Sequence, residues 1–135
     1  MINIKEYITL DLTFEVPPME PKDLFAFVAN TLKQKGYITD VKKLVADLLA
    51  REKKGSTGIG DAIGVPHAFI PELQKPLVIT LFLRKAIDFH APDGQPVRVL
   101  FFVLAPEQRR DEYLKILANL ATILHDNVVK RKVFV

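Results

Sequence analysis

The sequence of 135 residues contains no cysteine and no tryptophan. Without cysteine there are no disulfides, thiolate zinc sites, iron–sulfur clusters or thiol nucleophiles, so any chemistry must use other side chains. Long apolar runs are missing as well. The longest, Leu77 to Leu83 and Val99 to Ala105, fall far short of the roughly 18 residues a membrane span needs, and a membrane-embedded role is not expected. Met1 to Leu10 has no apolar core of signal-peptide length and no small-residue cleavage site, so a cytoplasmic location is expected. Charge of one sign is scarce too. Lys and Arg number 19 against 16 Asp and Glu, and Lys130-Arg131-Lys132 equals the whole excess of three, which argues against a nucleic-acid partner.

What is present is an ordinary globular composition: 49% hydrophobic, 26% charged, with nine Phe and three Tyr to fill a core. The length suits one domain, residues 1–135. Ile8, Leu10, Leu12 and Phe14 alternate with polar residues and predict a half-buried strand, stopped by Val16-Pro17-Pro18. Pro21 suits the first position of a helix carrying Leu24, Phe25, Phe27, Val28 and Leu32, which Gly36 ends. Asp40 caps a second helix, with Val41, Leu44, Val45, Leu48 and Leu49 on one face and Gly55 as its stop. The continuous apolar runs Leu77 to Leu83 and Val97 to Leu104 predict strands covered on both faces, separated by the turn signal Pro92-Asp93-Gly94-Gln95. Tyr113, Leu114, Ile116, Leu117, Leu120, Ala121 and Leu124 give a third amphipathic helix, after which Asp126 is placed to cap a last helical turn. Strands interleaved with helices, two of the strands fully buried, predict an α/β fold, a three-layer sandwich.

Few residues remain to carry chemistry. His67 follows Pro66 beyond a glycine-rich segment, Gly55 to Gly64, at a predicted strand end. An imidazole is substantially neutral at pH 7 and still nucleophilic, so His67 suits acceptance and release of a phosphoryl group; a structural loop histidine fits the same local sequence. His90 reads as a solvated loop residue, and His125 as a favourable charge at a helix C-terminus. The three histidines stand 23 and 35 residues apart with no i, i+4 pair, so no metal site is expected. Gly58-Ile59-Gly60-Asp61-Ala62-Ile63-Gly64 has its third glycine one position late for a dinucleotide loop and follows a helix, so no nucleotide cofactor is expected either. Backbone N–H groups there, with the Ser56 and Thr57 hydroxyls, suit a single phosphate. Arg51 can reach such a phosphate with its planar fork, or stand as a solvated helix-end cation.

Leu49-Ala50-Arg51-Glu52, Gly55-Ser56-Thr57-Gly58-Ile59-Gly60 and Ile63-Gly64-Val65-Pro66-His67-Ala68 together resemble the signature of the enzyme IIA domain of the bacterial phosphoenolpyruvate-dependent sugar phosphotransferase system, mannitol/fructose type, which nitrogen-regulatory IIA proteins share. The similarity runs on through Ile87-Asp88-Phe89, Asp93-Gly94-Gln95-Pro96-Val97, Leu104-Ala105-Pro106 and the helix beginning at Tyr113, covering nearly the whole chain. The resemblance implies a mixed sheet with helices on both faces. It implies that His67 accepts phosphoryl on Nε2 from HPr or its nitrogen-branch paralogue, and that Arg51, Ser56 and Thr57 stabilise the group, with no metal or nucleotide required. The acceptor it implies is a cysteine of enzyme IIB; the alternative is a regulatory protein whose phosphorylation state controls target proteins. The sugar is not legible, since specificity lies in the membrane component. One position departs: a second histidine common in the family is Tyr113 here, which is either a neutral hydrogen-bond donor to the phosphoryl group or the first core contact of its helix. Ile63 and Phe69 are expected to face the partner, and Val128 to Val135 ends where the family has a further helix.

Overall fold

A computed structural model describes residues 3–124; His125, Asp126 and the C-terminal segment predicted from sequence lie outside the described residues. After two short 3-10 turns, Ile4–Glu6 and Leu10–Leu12, come strand β1 (Thr13–Val16), helices α1 (Pro21–Gln34) and α2 (Val41–Lys53), and the short strands β2 (Gly58–Gly60), β3 (Ile63–Gly64) and β4 (His67–Phe69). Two long strands, β5 (Leu77–Ile87) and β6 (Val97–Ala105), precede helix α3 (Arg110–Leu124). The six strands form one mixed sheet, five of them in the order β1-β5-β6-β3-β2 and β4 paired to β6. β1 runs parallel to β5, β5 antiparallel to β6, and β2 antiparallel to β3. β3 and β4 both run parallel to β6, one beyond the other: Ile63 pairs with Val99, and His67 with Val103.

The period-2 geometry of β5 and β6 divides the core. Leu77, Ile79, Leu81, Leu83, Leu100, Phe102 and Leu104 point to one face, where they meet Leu24, Phe25, Val28 and Leu32 of α1 and Leu44 and Leu48 of α2. Val78, Val99, Phe101, Val103 and Ala105 point to the other, against Tyr113, Ile116 and Leu120 of α3 and Ile4. From Leu77 to Leu83 and from Val99 to Ala105 both faces are covered, and each fully buried Leu or Phe contributes roughly 1.5–3 kcal/mol on leaving water. This is the expected three-layer α/β sandwich, a central mixed sheet with helices on both faces.

The helix boundaries follow local chemistry. Pro21 opens α1, and Gly36 at φ +84° closes it: Tyr37 N–H returns to the Leu32 carbonyl at 2.9 Å and Gly36 N–H to Lys33 at 3.0 Å. The Asp40 side chain accepts from Lys43 N–H at 3.0 Å at the start of α2. The first strand differs from expectation. Leu10 belongs to a 3-10 turn and is 93% exposed, and the paired strand begins only at Thr13 and runs to Val16. Ile8 to Phe14 alternates in sequence, but the ladder to β5 starts at Thr13 opposite Thr80, and Leu12 and Val16 are the residues that reach the core.

Candidate functional site

The glycine-rich segment folds as a β-hairpin. Asp61 and Ala62 turn the chain between β2 and β3 with φ of 56° and 65°, a two-residue turn of the hand that matches strand twist. Val65 N–H donates to the Thr57 carbonyl at 2.9 Å, extending the pairing of Gly58 with Gly64. The chain then steps past Val65-Pro66 and opens β4 at His67, so the histidine starts a strand on the same edge of β6 that β3 pairs.

Among the described residues each ring nitrogen of His67 has one hydrogen-bond partner. Nδ1 lies 2.8 Å from the Val65 carbonyl oxygen, which can only accept, so Nδ1 carries the proton. Nε2 accepts from Arg51 Nε–H at 3.3 Å. Burial pushes the imidazole below the ordinary histidine range; the Val65 carbonyl pulls it up, and the Arg51 guanidinium lowers it further. The result is a neutral ring with a fixed tautomer and its lone pair on Nε2. Arg51, in the last turn of α2, is braced by donating from Nη1 to the Gly55 carbonyl at 2.9 Å.

Ser56 and Thr57 are near in sequence to Arg51, but their hydroxyls are turned elsewhere. Ser56 Oγ donates to the Phe89 carbonyl at 2.9 Å and accepts from Gly58 N–H at 3.0 Å. Thr57 is buried; its hydroxyl donates to Glu52 Oε1, and its N–H donates to Oε2 at 3.3 Å. Burial raises the Glu52 carboxyl above the usual glutamate range, against the lowering effect of the Thr57 hydroxyl and N–H and of Arg51. The consecutive pair Arg51-Glu52 thus reaches the histidine with one side chain and ties down the loop with the other.

Tyr113 is buried, its ring set edge-on against His67, with 6.0 Å between centroids, and against Phe69 at 4.6 Å. Burial pushes its hydroxyl up to about 12, with Arg51 and Arg110 opposing. Among the described residues that hydroxyl has no hydrogen-bond partner. The expectation that Ile63 faces a partner is corrected: Ile63 is 1% exposed, paired with β6 and packed under α3. Phe69 stays half-exposed beside Tyr113, and Leu114, 53% exposed, is the apolar side chain next to Tyr113 that reaches solvent. His90 sits at φ 54° in an exposed turn, 3.8 Å from Asp88.

The sequence pattern missed the Val65 carbonyl and the Glu52 tether. A proline between Val65 and His67 was the available signal for the first, since it interrupts the ladder and leaves an upstream carbonyl to serve a side chain. Glu52 carried a weaker one, a carboxylate closing a helix just ahead of a loop rich in free N–H groups.

The family described as Phosphoenolpyruvate-dependent sugar phosphotransferase system, EIIA 2, matches residues 3–133. A nitrogen regulatory protein of Pseudomonas aeruginosa is 34% identical over 125 residues, 92% of this chain and 81% of that protein. A fructose-specific EIIA component of Haloferax volcanii is 31% identical over 118 residues, covering 87% and 77%. In three dimensions the nitrogen regulatory protein IIA-Ntr of Neisseria meningitidis superposes with a TM-score of 0.87 at 27% identity, covering 98% of this chain and 90% of that one. Among the described residues no helix is long and apolar enough to cross a membrane. The chain belongs to the EIIA 2 family of the phosphoenolpyruvate-dependent sugar phosphotransferase system.

Proposed function

We propose that residues 1–135 form one cytoplasmic phosphoryl-carrier domain that accepts phosphoryl on His67 Nε2 from the phosphohistidine of HPr or its nitrogen-branch paralogue and passes it to a cysteine of enzyme IIB. The observation that carries this is the pair of contacts on His67: Nδ1–H on the Val65 carbonyl and Nε2 facing Arg51. In the transfer, the P–N bond of the donor breaks as the P–Nε2 bond forms. The donor ring leaves as a neutral imidazole with the bonding pair, and His67 becomes an imidazolium that keeps its Nδ1 proton, donated to the Val65 carbonyl. No proton has to move between the proteins, and nitrogen replaces nitrogen, so the exchange is nearly balanced.

The protein's part is positioning and fixed charge. Arg51 gives up its long bond to Nε2 and meets the phosphoryl oxygens, and Tyr113, whose ring lies against His67, offers a neutral donor. Ser56 and Thr57 contribute by shaping the loop; direct donation from either requires it to leave Phe89 or Glu52. The test is incubation with phosphoenolpyruvate, enzyme I and HPr. Wild type should gain an acid-labile, base-stable phosphate that His67→Ala loses, and no incorporation into wild type rejects the proposal.

A regulatory role is the second reading, favoured by the resemblance to nitrogen regulatory proteins in both sequence and structure. There phosphorylation of the same His67 would change contacts with target proteins and feed no transporter. Mixing the phosphorylated chain with enzyme IIB separates the two: discharge to the IIB cysteine supports transport, and a phosphohistidine that persists beside IIB supports regulation.

A further inference from the structure

β4 places His67 and Phe69 on one face of the strand, two residues apart, and the Tyr113 ring packs edge-on against both. Over the Phe69 ring, 4.8 Å from its centroid, lies the guanidinium of Arg110, the first residue of α3. Four side chains from two elements therefore form one patch, with Arg110 at the end opposite Arg51. Its neighbour Arg109 is committed elsewhere, to Glu112 and to the Gln74 carbonyl. Arg110 instead holds Glu107 at 2.9 Å, with the two side chains 55% and 70% exposed. An exposed i, i+3 pair of this kind contributes little and exchanges readily. The aromatic face beneath the guanidinium holds it over Phe69 while that exchange occurs.

Building on the carrier reading, we propose that Arg110 is a second phosphoryl-binding cation of this site, leaving Glu107 to close on the phosphoryl group of His67 from the Tyr113 side while Arg51 holds it from α2. A histidine-bound phosphoryl group carries up to two negative charges, and Arg51 supplies one cation with one of its N–H groups already given to Gly55. Tyr113 cannot supply the other, because a phenol hydroxyl carries no positive charge in either protonation state. Arg110 can: its guanidinium lies over Phe69, whose ring packs against the same Tyr113 ring that sits against His67.

The test uses two donors, phospho-HPr and the small P–N compound phosphoramidate, from which ammonia leaves with the bonding pair as the P–Nε2 bond forms. A small donor has no docking surface, so it reports on the phosphoryl group alone. Arg110→Met keeps the packing over Phe69 and removes the charge; Arg110→Lys restores a charge without the fork. The expected result is a loss of about tenfold in phosphorylation rate with both donors for Arg110→Met, partly recovered in Arg110→Lys, at an unchanged melting temperature. That loss is smaller than the hundredfold or more for a donor in a dry site, because Arg110 is solvated. The phosphorus resonance of phosphorylated Arg110→Met should also titrate at higher pH than that of wild type, a shift that a packing role would not produce. Rates within twofold of wild type with phosphoramidate and an unmoved titration overturn the proposal. A loss confined to phospho-HPr also overturns it, assigning Arg110 to docking. If wild type takes phosphoryl from neither donor, the carrier reading fails first and this proposal with it.

Discussion

The Nδ1 of His67 lies 2.8 Å from the carbonyl oxygen of Val65, two residues upstream and across a proline. Pro66 has no N–H to donate, and its own carbonyl accepts from Val103 N–H at 2.9 Å, anchoring the step between β3 and β4 to β6. Val65 is left between two strands with its carbonyl turned to the imidazole. The tautomer of the candidate nucleophile is set by backbone, with no side-chain carboxylate involved.

The first prediction concerns pH. Burial and Arg51 hold His67 below its ordinary value of 6.5, so its ring carbons, followed by NMR, should titrate below that value. The unfolded chain then binds more protons than the native one in the window between the depressed native value and 6.5. Stability should rise with pH through that window and lose the increment as pH falls through it. His67→Gln should flatten this part of the stability profile; an unchanged profile would place the effect on another group.

Arg51 is expected to have two separable roles. Arg51→Ala should slow phosphorylation of His67 about a hundredfold, the scale of removing one fixed donor from developing charge. It should also raise the histidine's pKa, because a neighbouring cation has gone. Lysine should restore most of the lowering of the pKa but less of the rate, since an ammonium cannot span two oxygens as the guanidinium fork does. Rate measurements paired with NMR titration of the three proteins check this.

Glu52 is expected to be a stability residue of the site loop. Its carboxylate accepts both the N–H and the hydroxyl of buried Thr57. Glu52→Ala leaves those donors without a partner and should cost about 1–3 kcal/mol in denaturant unfolding. Thr57→Val in the Glu52→Ala background removes one stranded donor, so the double variant should lose less than the sum of the singles.

Much of this architecture is legible in the sequence because its signals are local. Pro21, Gly36, Asp40 and Gly55 mark helix ends through their own backbone chemistry, and the unbroken runs of β5 and β6 declare strands covered on both faces. The family resemblance singled out His67 and Arg51, and the fold brings them within hydrogen-bond distance. Less legible were features set by pairing between distant segments. Ile8 to Phe14 alternates as a strand should, yet only the ladder to β5 decides where pairing begins. Ile63 reads as a neighbour of His67 along the chain, but its pairing with Val99 buries it under α3. The patch of Phe69, Tyr113 and Arg110 joins residues more than forty positions apart, which no local pattern encodes.

Thr80 should be improvable. It is 1% exposed in the buried half of β5, and among the described residues its hydroxyl is buried without a partner. Valine has nearly the same shape, keeps the β-branched fit to the strand and removes the stranded polar atom. Thr80→Val should therefore raise stability by about 1 kcal/mol, read as a higher denaturant midpoint at an unchanged slope.

Gly58 allows the site loop and the turn before β6 to approach each other. A Cβ at this position would lie 2.8 Å from the Ala91 Cβ and 3.1 Å from its Cα, atoms with no rotamer to escape into, and 3.2 Å from the Ser56 Oγ. The backbone φ at Gly58 is one that any residue adopts, so the constraint is space alone. Gly58→Ala must push the Phe89–Ala91 segment outward and strain the Ser56 bond to the Phe89 carbonyl, and it should destabilise by about 1–3 kcal/mol. Ala91→Gly removes the Cβ in the way. If contact with that Cβ is the main cause, the double variant should recover much of the loss, a coupling that denaturant unfolding of all four proteins would measure. Full additivity would instead assign the cost to the Ser56 side of the loop.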